Sequence, residues 1–188
     1  MIYAIRHGET DWNKFGYIQG GGSNPPLNEN GIQQAQQLAP KLENLGIQII
    51  YSSDLLRAYQ TAEEINKLLN LQIIKTPLLR ETFYGNLEGQ LSSITNTNPE
   101  YKKICDAVDM GDNDAHFPNG ESRNMVVNRM IKFLKNIDRS KNTLLTTHGG
   151  IIRSFCVLNH MEDRAIKNCG GIKFDLDENN LPINIKYF

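Results

Sequence analysis

The chain has 188 residues, with 20 Lys and Arg against 21 Asp and Glu for a formal net charge of -1, and its three cysteines form no Cys-x-x-Cys pair. That length suits one domain with a sizeable core. The charge balance makes no global case for nucleic acid or an anionic membrane surface, and the odd cysteine count argues against a disulfide framework or a zinc–cysteine site. Strand character begins at Ile2 and no apolar run approaches a membrane span, so the expectation is a cytoplasmic protein with neither a secretory signal nor a membrane segment.

Ile2-Tyr3-Ala4-Ile5 reads as a buried strand that runs into Arg6-His7-Gly8 and then a polar turn through Asn13. Such a strand delivers a cation and an imidazole to the rim of a sheet, where ligands of open α/β folds bind. Arginine offers a planar fork for phosphate or carboxylate, and histidine a base, a metal ligand or a nucleophile. Gly8 is expected to clear space where a ligand approaches the backbone. Lys14 to Pro26 is a long Gly- and Pro-rich loop. A helix follows with Asn28 or Asn30 as N-cap and an apolar stripe of Ile32, Ala35, Leu38 or Ala39, Leu42 and Leu45. Pro40 is expected to kink or divide it near Ala39, and Gly46 to end it. Ile47–Tyr51 is a second strand. Ser52-Ser53-Asp54 then caps a helix from about Leu55 to Leu69 whose core stripe is Leu55, Tyr59, Ala62, Ile65 and Leu69. Arg57 lies off that stripe in the first turn, either as a solvated surface cation or held there to meet an anion.

Leu71–Lys75 is a third strand, and the Gly-punctuated loop after it carries Glu81 and Glu88. The pattern weakens from Ser92 to Asn119, with a short helix around Pro99–Val108 and an acidic run of Asp106, Asp109, Asp112 and Asp114. Residues 90–120 are therefore read as an excursion covering the site within a single domain spanning 1–188. A helix beginning at Gly120-Glu121-Ser122 carries Met125 or Val126, Arg129 or Met130, Phe133, and Leu134 or Ile137. Thr143–Thr147 is a strand that runs into His148-Gly149-Gly150, repeating the opening layout, and a helix over Ile151–Leu158 follows. Gly171–Leu176 and Ile183–Tyr187 form an edge hairpin. Alternating strands and helices imply an α/β three-layer sandwich: a mostly parallel sheet, helices on both faces and an antiparallel edge hairpin.

Parallel topology places both His-Gly strand ends, Arg57 and a loop glutamate at one sheet edge. The ordered set Arg6-His7-Gly8-Glu9-Thr10, Trp12-Asn13, Gln19-Gly20, Pro26-Leu27-Asn28-Glu29-Asn30-Gly31, Ser52-Ser53-Asp54-Leu55-Leu56-Arg57-Ala58, Leu79-Arg80-Glu81, Gly85, Glu88-Gly89, Gly120-Glu121-Ser122 and Thr147-His148-Gly149-Gly150 spans essentially the whole chain. With it the sequence resembles the histidine phosphatase superfamily, the phosphoglycerate-mutase-like group.

The resemblance implies that His7 attacks phosphorus and becomes a phosphohistidine, that Arg6, Arg57 and His148 surround the phosphoryl oxygens, and that Glu81 is the proton donor and acceptor, with Glu88 bracing the loop. Thr10, Asn13, Gln19, Gly20, Tyr84 and Gly149 would complete the substrate site. His116 and His160 match no motif. No metal and no other cofactor is implied, and the expected partner is a small phosphorylated metabolite bound by a monomer or homodimer. Mutases of this group place an arginine after the acid and basic residues in the covering segment. Here Thr82 and four aspartates stand instead, which favours a phosphomonoester hydrolase over a phosphoglycerate mutase or a non-catalytic phosphate- or phosphoprotein-binding module. α-Ribazole phosphate, phosphoglycerate and sugar phosphates are candidate substrates.

Overall fold

Ile2 and Ala4 of β1 (Ile2–Arg6) face one core, and Tyr3 and Ile5 the other. A strand apolar on both faces must lie between two layers. In the computed structural model, which describes residues 1–188, it sits inside a six-stranded sheet with β2 (Ile49–Ser53), β3 (Ile73–Thr76), β4 (Thr143–Thr147), β5 (Gly171–Leu176) and β6 (Pro182–Tyr187). The spatial order is β3-β2-β4-β1-β5-β6. β3, β2, β4 and β1 are mutually parallel, while β5 runs antiparallel to β1 and β6 antiparallel to β5. Helices α2 (Glu29–Glu43) and α3 (Leu56–Leu69) cover one face, burying Ala35, Leu38, Leu42, Ala62 and Ile65 with Tyr3 and Ile5. Helices α6 (Arg123–Leu134) and α7 (Gly149–Leu158) cover the other, burying Val126, Met130, Phe133, Ile152 and Phe155 with Ile2 and Ala4. The expected three-layer α/β sandwich is the observed one.

The register sets up the rim. Arg6 pairs with Thr147 across β1 and β4, and Ser52 with Thr146 across β2 and β4. Their next residues, His7, His148 and Ser53, therefore leave the sheet at the same edge.

Several local expectations are corrected. α2 runs unbroken through Pro40. Pro40 and Gln36 both lie on the exposed side, so water can take over the Gln36 carbonyl that loses its intrahelical donor. β2 is shifted two residues later than the apolar run suggested, its pairing beginning at Ile49 opposite Thr143 of β4 and continuing through Ser53 against β3. The polar turn after Gly8 contains a short helix α1 (Asp11–Phe15), nucleated by a capping box in which Thr10 and Asn13 satisfy each other's backbone. The buried face of α3 is Arg57, Ala58, Thr61, Ala62 and Ile65, so Arg57 belongs to it. Residues 92–119 form α4 (Ile94–Thr97) and α5 (Pro99–Asp109), neither of which fully buries a side chain.

Candidate active site

His7 leaves β1 with its imidazole 2% exposed. Its Nδ1 lies 2.6 Å from the carbonyl oxygen of Gly8. A carbonyl can only accept, so Nδ1 carries the proton and Nε2 is left with a free lone pair. Burial, then the charges of Arg57 and Arg6, hold the His7 pKa well below the usual histidine value. The geometry thus presents a neutral imidazole whose unprotonated nitrogen is uncommitted.

His148 leaves β4 beside it, the two ring centroids 5.2 Å apart. Its Nε2 lies 2.8 Å from Ser53 Oγ, and its buried Nδ1 has no protein partner. Arg6 donates through Nη1 to the Ile166 carbonyl at 2.7 Å. Arg57, fully buried, donates through Nη1 and Nη2 to the carbonyls of Ser23 and Gly20 at 2.9 and 3.1 Å. Burial lowers both guanidinium pKa values, that of Arg57 to about 10, so both stay cationic at neutral pH. Arg6 Nε, Arg57 Nε, Gln19 Nε2 and His148 Nδ1 are all buried without a partner in the protein. Unpaired buried donors are costly, and a group of them around one imidazole is a cradle for an oxyanion.

Glu81 follows the short turn Pro77–Leu79 and is 7% exposed. Its Oε2 accepts from Gly150 N at 2.9 Å, and its Oε1 from Ile151 N at 3.0 Å and Thr82 N at 2.8 Å. The carboxylate thus sits on the amino end of α7, the helix that follows His148. A side chain at Gly150 would overlap both Glu81 and the Tyr84 hydroxyl. Glu88 lies elsewhere, its carboxylate accepting from Gly22 N and Tyr84 N at 3.1 and 3.2 Å and tying the two loops together.

A cavity of about 230 Å³ is lined by Arg6, His7, Asn13, Gln19, Glu81, Tyr84, Gly149 and Arg153, among others. A second, of about 190 Å³, adjoins it through Tyr84, Gly150 and Arg153, and is walled by Thr82, Val108, Ala115, Phe117 and Arg123. No three His, Cys, Asp or Glu side chains converge in metal-binding fashion.

The other residues singled out from sequence fall into two groups. Asn13 Oδ1 accepts from Thr10 N at 3.2 Å and Asn168 Nδ2 at 3.4 Å, which leaves its amide nitrogen for the cavity. Gln19 Oε1 accepts from the Thr10 hydroxyl at 2.8 Å, which turns Gln19 Nε2 away as a free donor. Tyr84 and Gly149 are on the wall. Thr10 and Gly20, by contrast, do not line the cavity: Thr10 orients Asn13 and Gln19, and Gly20 holds Arg57 through its carbonyl. Gly8 is also reassigned, because the group that approaches it is the backbone of Gly31 at the start of α2.

Sequence reasoning missed Arg129. Its guanidinium donates to the carbonyls of Leu78, Arg80 and Glu81 and to both oxygens of Glu121, stapling the segment that carries Glu81 to α6. Asn168 was missed as well; its Nδ2 also donates to the His7 carbonyl at 3.0 Å. So was Arg153, which with Arg123 shares the carboxylate of Asp163. An arginine on a helix that is otherwise apolar at that spacing was the one available signal for Arg129.

Residues 2–183 match the family model described as histidine phosphatase superfamily (branch 1). Two relatives carry the name probable phosphoglycerate mutase GpmB. That of Proteus mirabilis is 39% identical over 154 residues, covering 79% of this chain and 69% of the relative. That of Yersinia pestis is 35% identical, covering 95% of this chain and 86% of the relative. Among solved structures, TTHB049 of Thermus thermophilus superposes with a TM-score of 0.76 at 30% identity over 98% of this chain and 97% of that one. A mycobacterial glucosyl-3-phosphoglycerate phosphatase in complex with VO3 shares the fold with a TM-score of 0.84 at 24% identity, over 99% of this chain and 96% of that one.

Proposed function

The chain belongs to the histidine phosphatase superfamily, and from that premise we propose that it is a phosphomonoester hydrolase working through a phosphohistidine. The observation that carries this reading is the free Nε2 of His7 among four buried, unpartnered donors: Arg6 Nε, Arg57 Nε, Gln19 Nε2 and His148 Nδ1. Nε2 attacks phosphorus and the ester P–O bond breaks. The leaving alkoxide takes a proton from the Glu81 carboxyl, and the donors neutralise charge on the equatorial oxygens. Water then attacks the phosphohistidine, Glu81 accepts its proton, the P–N bond breaks, and inorganic phosphate leaves.

The leaving group occupies the adjoining cavity. Its volume of about 190 Å³ gives room for the alcohol part of a small metabolite. Arg123 and Arg153 are committed to Asp163, and Asp109 also lies on the wall. A second phosphate would therefore meet two arginines that already share one carboxylate, with Asp109 opposing it on the wall, and this favours hydrolysis over the reading of a phosphoglycerate mutase. The segment 90–120, supplying Cys105, Val108, Asp109 and Ala115 to Phe117, acts as the cover of this cavity, and the substrate is a small phosphorylated metabolite.

The test is to incubate the purified protein with a panel of phosphomonoesters, and with 3-phosphoglycerate with and without 2,3-bisphosphoglycerate, following phosphate and 2-phosphoglycerate together. Net phosphate release with little interconversion is expected. Formation of 2-phosphoglycerate that outpaces phosphate release would overturn hydrolysis in favour of the mutase.

A further inference from the structure

We infer that Ser53 is a positioning residue that locks His148 in the Nδ1–H tautomer, so that His148 serves the phosphoryl site as an uncharged hydrogen-bond donor. The inference rests on the proposed reaction for its use, but not for its geometry.

Ser53 is fully buried at the end of β2. Its Oγ accepts from Leu55 N at 3.3 Å, and its only other partner is His148 Nε2 at 2.8 Å. The hydroxyl proton must go somewhere, since a buried O–H without an acceptor is rare. The carbonyl of Ser53 itself is occupied by the hydroxyl of Ser52 at 2.7 Å. His148 Nε2 is therefore the acceptor, which makes it the unprotonated nitrogen. The imidazole's one proton then sits on Nδ1, the atom that is buried and unpartnered in the protein.

The opposite tautomer fails twice. It strands the Ser53 proton, and in the proposed reaction it would turn the Nδ1 lone pair on a negative phosphoryl oxygen. The imidazolium would carry both protons, but it would stand among like charges. Arg6 faces it from β1 beside the neutral His7, Arg57 from α3 and Arg129 from α6, while Glu81 is engaged on the amides that begin its own helix. Burial and these cations hold His148 well below the usual histidine value. The serine thus does for His148 what the Gly8 carbonyl does for His7, with the reverse result. One imidazole offers a lone pair and its neighbour an N–H, and neither needs a change of charge.

The experiment is a two-bond nitrogen–proton spectrum of the full chain labelled at histidine nitrogen, at neutral pH, with a His148→Gln sample to assign the signals. The expected pattern for His148 is a protonated Nδ1 and an unprotonated Nε2. Ser53→Ala should move the ring to the Nε2–H form and lower kcat/KM by roughly ten- to a hundredfold. The ratio of variant to wild type should recover as pH falls, because protonation restores the Nδ1–H, and taking the ratio cancels the titration of His7. A wild-type His148 protonated at Nε2 overturns the inference, as does a Ser53→Ala loss that is the same at every pH. Should Ser53→Ala not fold, the wild-type spectrum decides alone. Should no phosphomonoester be turned over, the hydrolase reading fails while the spectrum still settles the tautomer.

Discussion

The sheet rim and the segment over it are held by opposite kinds of bond. At the rim the side chains around His7 are fixed by partners from distant elements: Arg57 by the carbonyls of Gly20 and Ser23, Arg6 by Ile166, Glu81 by the amides of α7, and His148 by Ser53. Over the rim, α5 is held largely by its own sequence neighbours. Asn98 caps its first turn, Lys102 pairs with Asp106 one turn on, and Asp112 accepts from the amides of Asp114 and Ala115. The rim can keep a geometry tight enough for phosphoryl transfer. On the proposed function, the segment over the rim is the more readily rearranged part, and substitutions there should adjust what fits without touching the chemistry. In the proposed reaction, effects should shrink and become substrate-dependent from the rim outward.

The largest effect is expected at His7. His7→Ala removes the free imidazole lone pair at the rim and should abolish both turnover and acid-labile phosphoprotein on brief exposure to substrate, measured by quench and gel. Wild-type-like turnover would falsify the covalent route. Next in size is Glu81→Gln, which keeps the size of the side chain but gives up one acceptor for the backbone amides and cannot exchange a proton. It should cost roughly two to four powers of ten for poor leaving groups and much less for an activated aryl phosphate. Glu88→Gln, which loosens two loops, should act evenly on all esters, and finding the selective pattern there instead would reassign the acid.

A smaller, graded effect concerns pH. His7 and His148 are both held well below 6.5 when folded. Between their folded values and 6.5 the unfolded chain binds protons that the native chain does not, so stability rises with pH through that window and the two add nothing above it. Urea midpoints should therefore fall from pH 7.5 to pH 5.5, and fall less in His148→Gln. The acid limb of kcat/KM set by His7 should likewise lie below the ordinary histidine range. A limb centred near 6.5 would mean that His7 titrates as a solvated imidazole.

The parts of this arrangement that were legible from sequence are those set by short-range rules. The period of the strands, the glycines after the two histidines and the Asn28 cap gave the layers, and the ordered motifs gave the rim residues. What escaped was decided by distant partners. Helical spacing leaves Arg57 open between a solvated cation and one held for an anion, and its burial is decided by two loop carbonyls, from Gly20 and Ser23, that replace its water. Arg129 reads as one option in an apolar stripe, yet it gathers three carbonyls and a carboxylate. Pro40 reads as a break, and the helix runs through because the lost bond faces solvent. The role of Ser53 needs the register that sets it against His148, which no local pattern contains.

The smallest effect is expected on the cover, at Asp109. Its carboxylate is exposed on the cavity wall, and it adds to the hydrogen bond from Asp163 that chiefly raises the pKa of Arg153. With Asp163 it matches the charges of Arg123 and Arg153, so the leaving-group cavity is close to neutral. Asp109→Arg should shift preference toward phosphomonoesters that carry a second anion, relative to one with an uncharged alcohol. The charge is solvated and screened, so the change in the ratio of kcat/KM values should be only a few-fold and should shrink as salt rises. The rate with an activated aryl phosphate should stay near wild type, since no rim contact is altered. A uniform loss on every ester would mean that α5 helps to hold the rim after all, and the division between fixed rim and adjustable cover would fall.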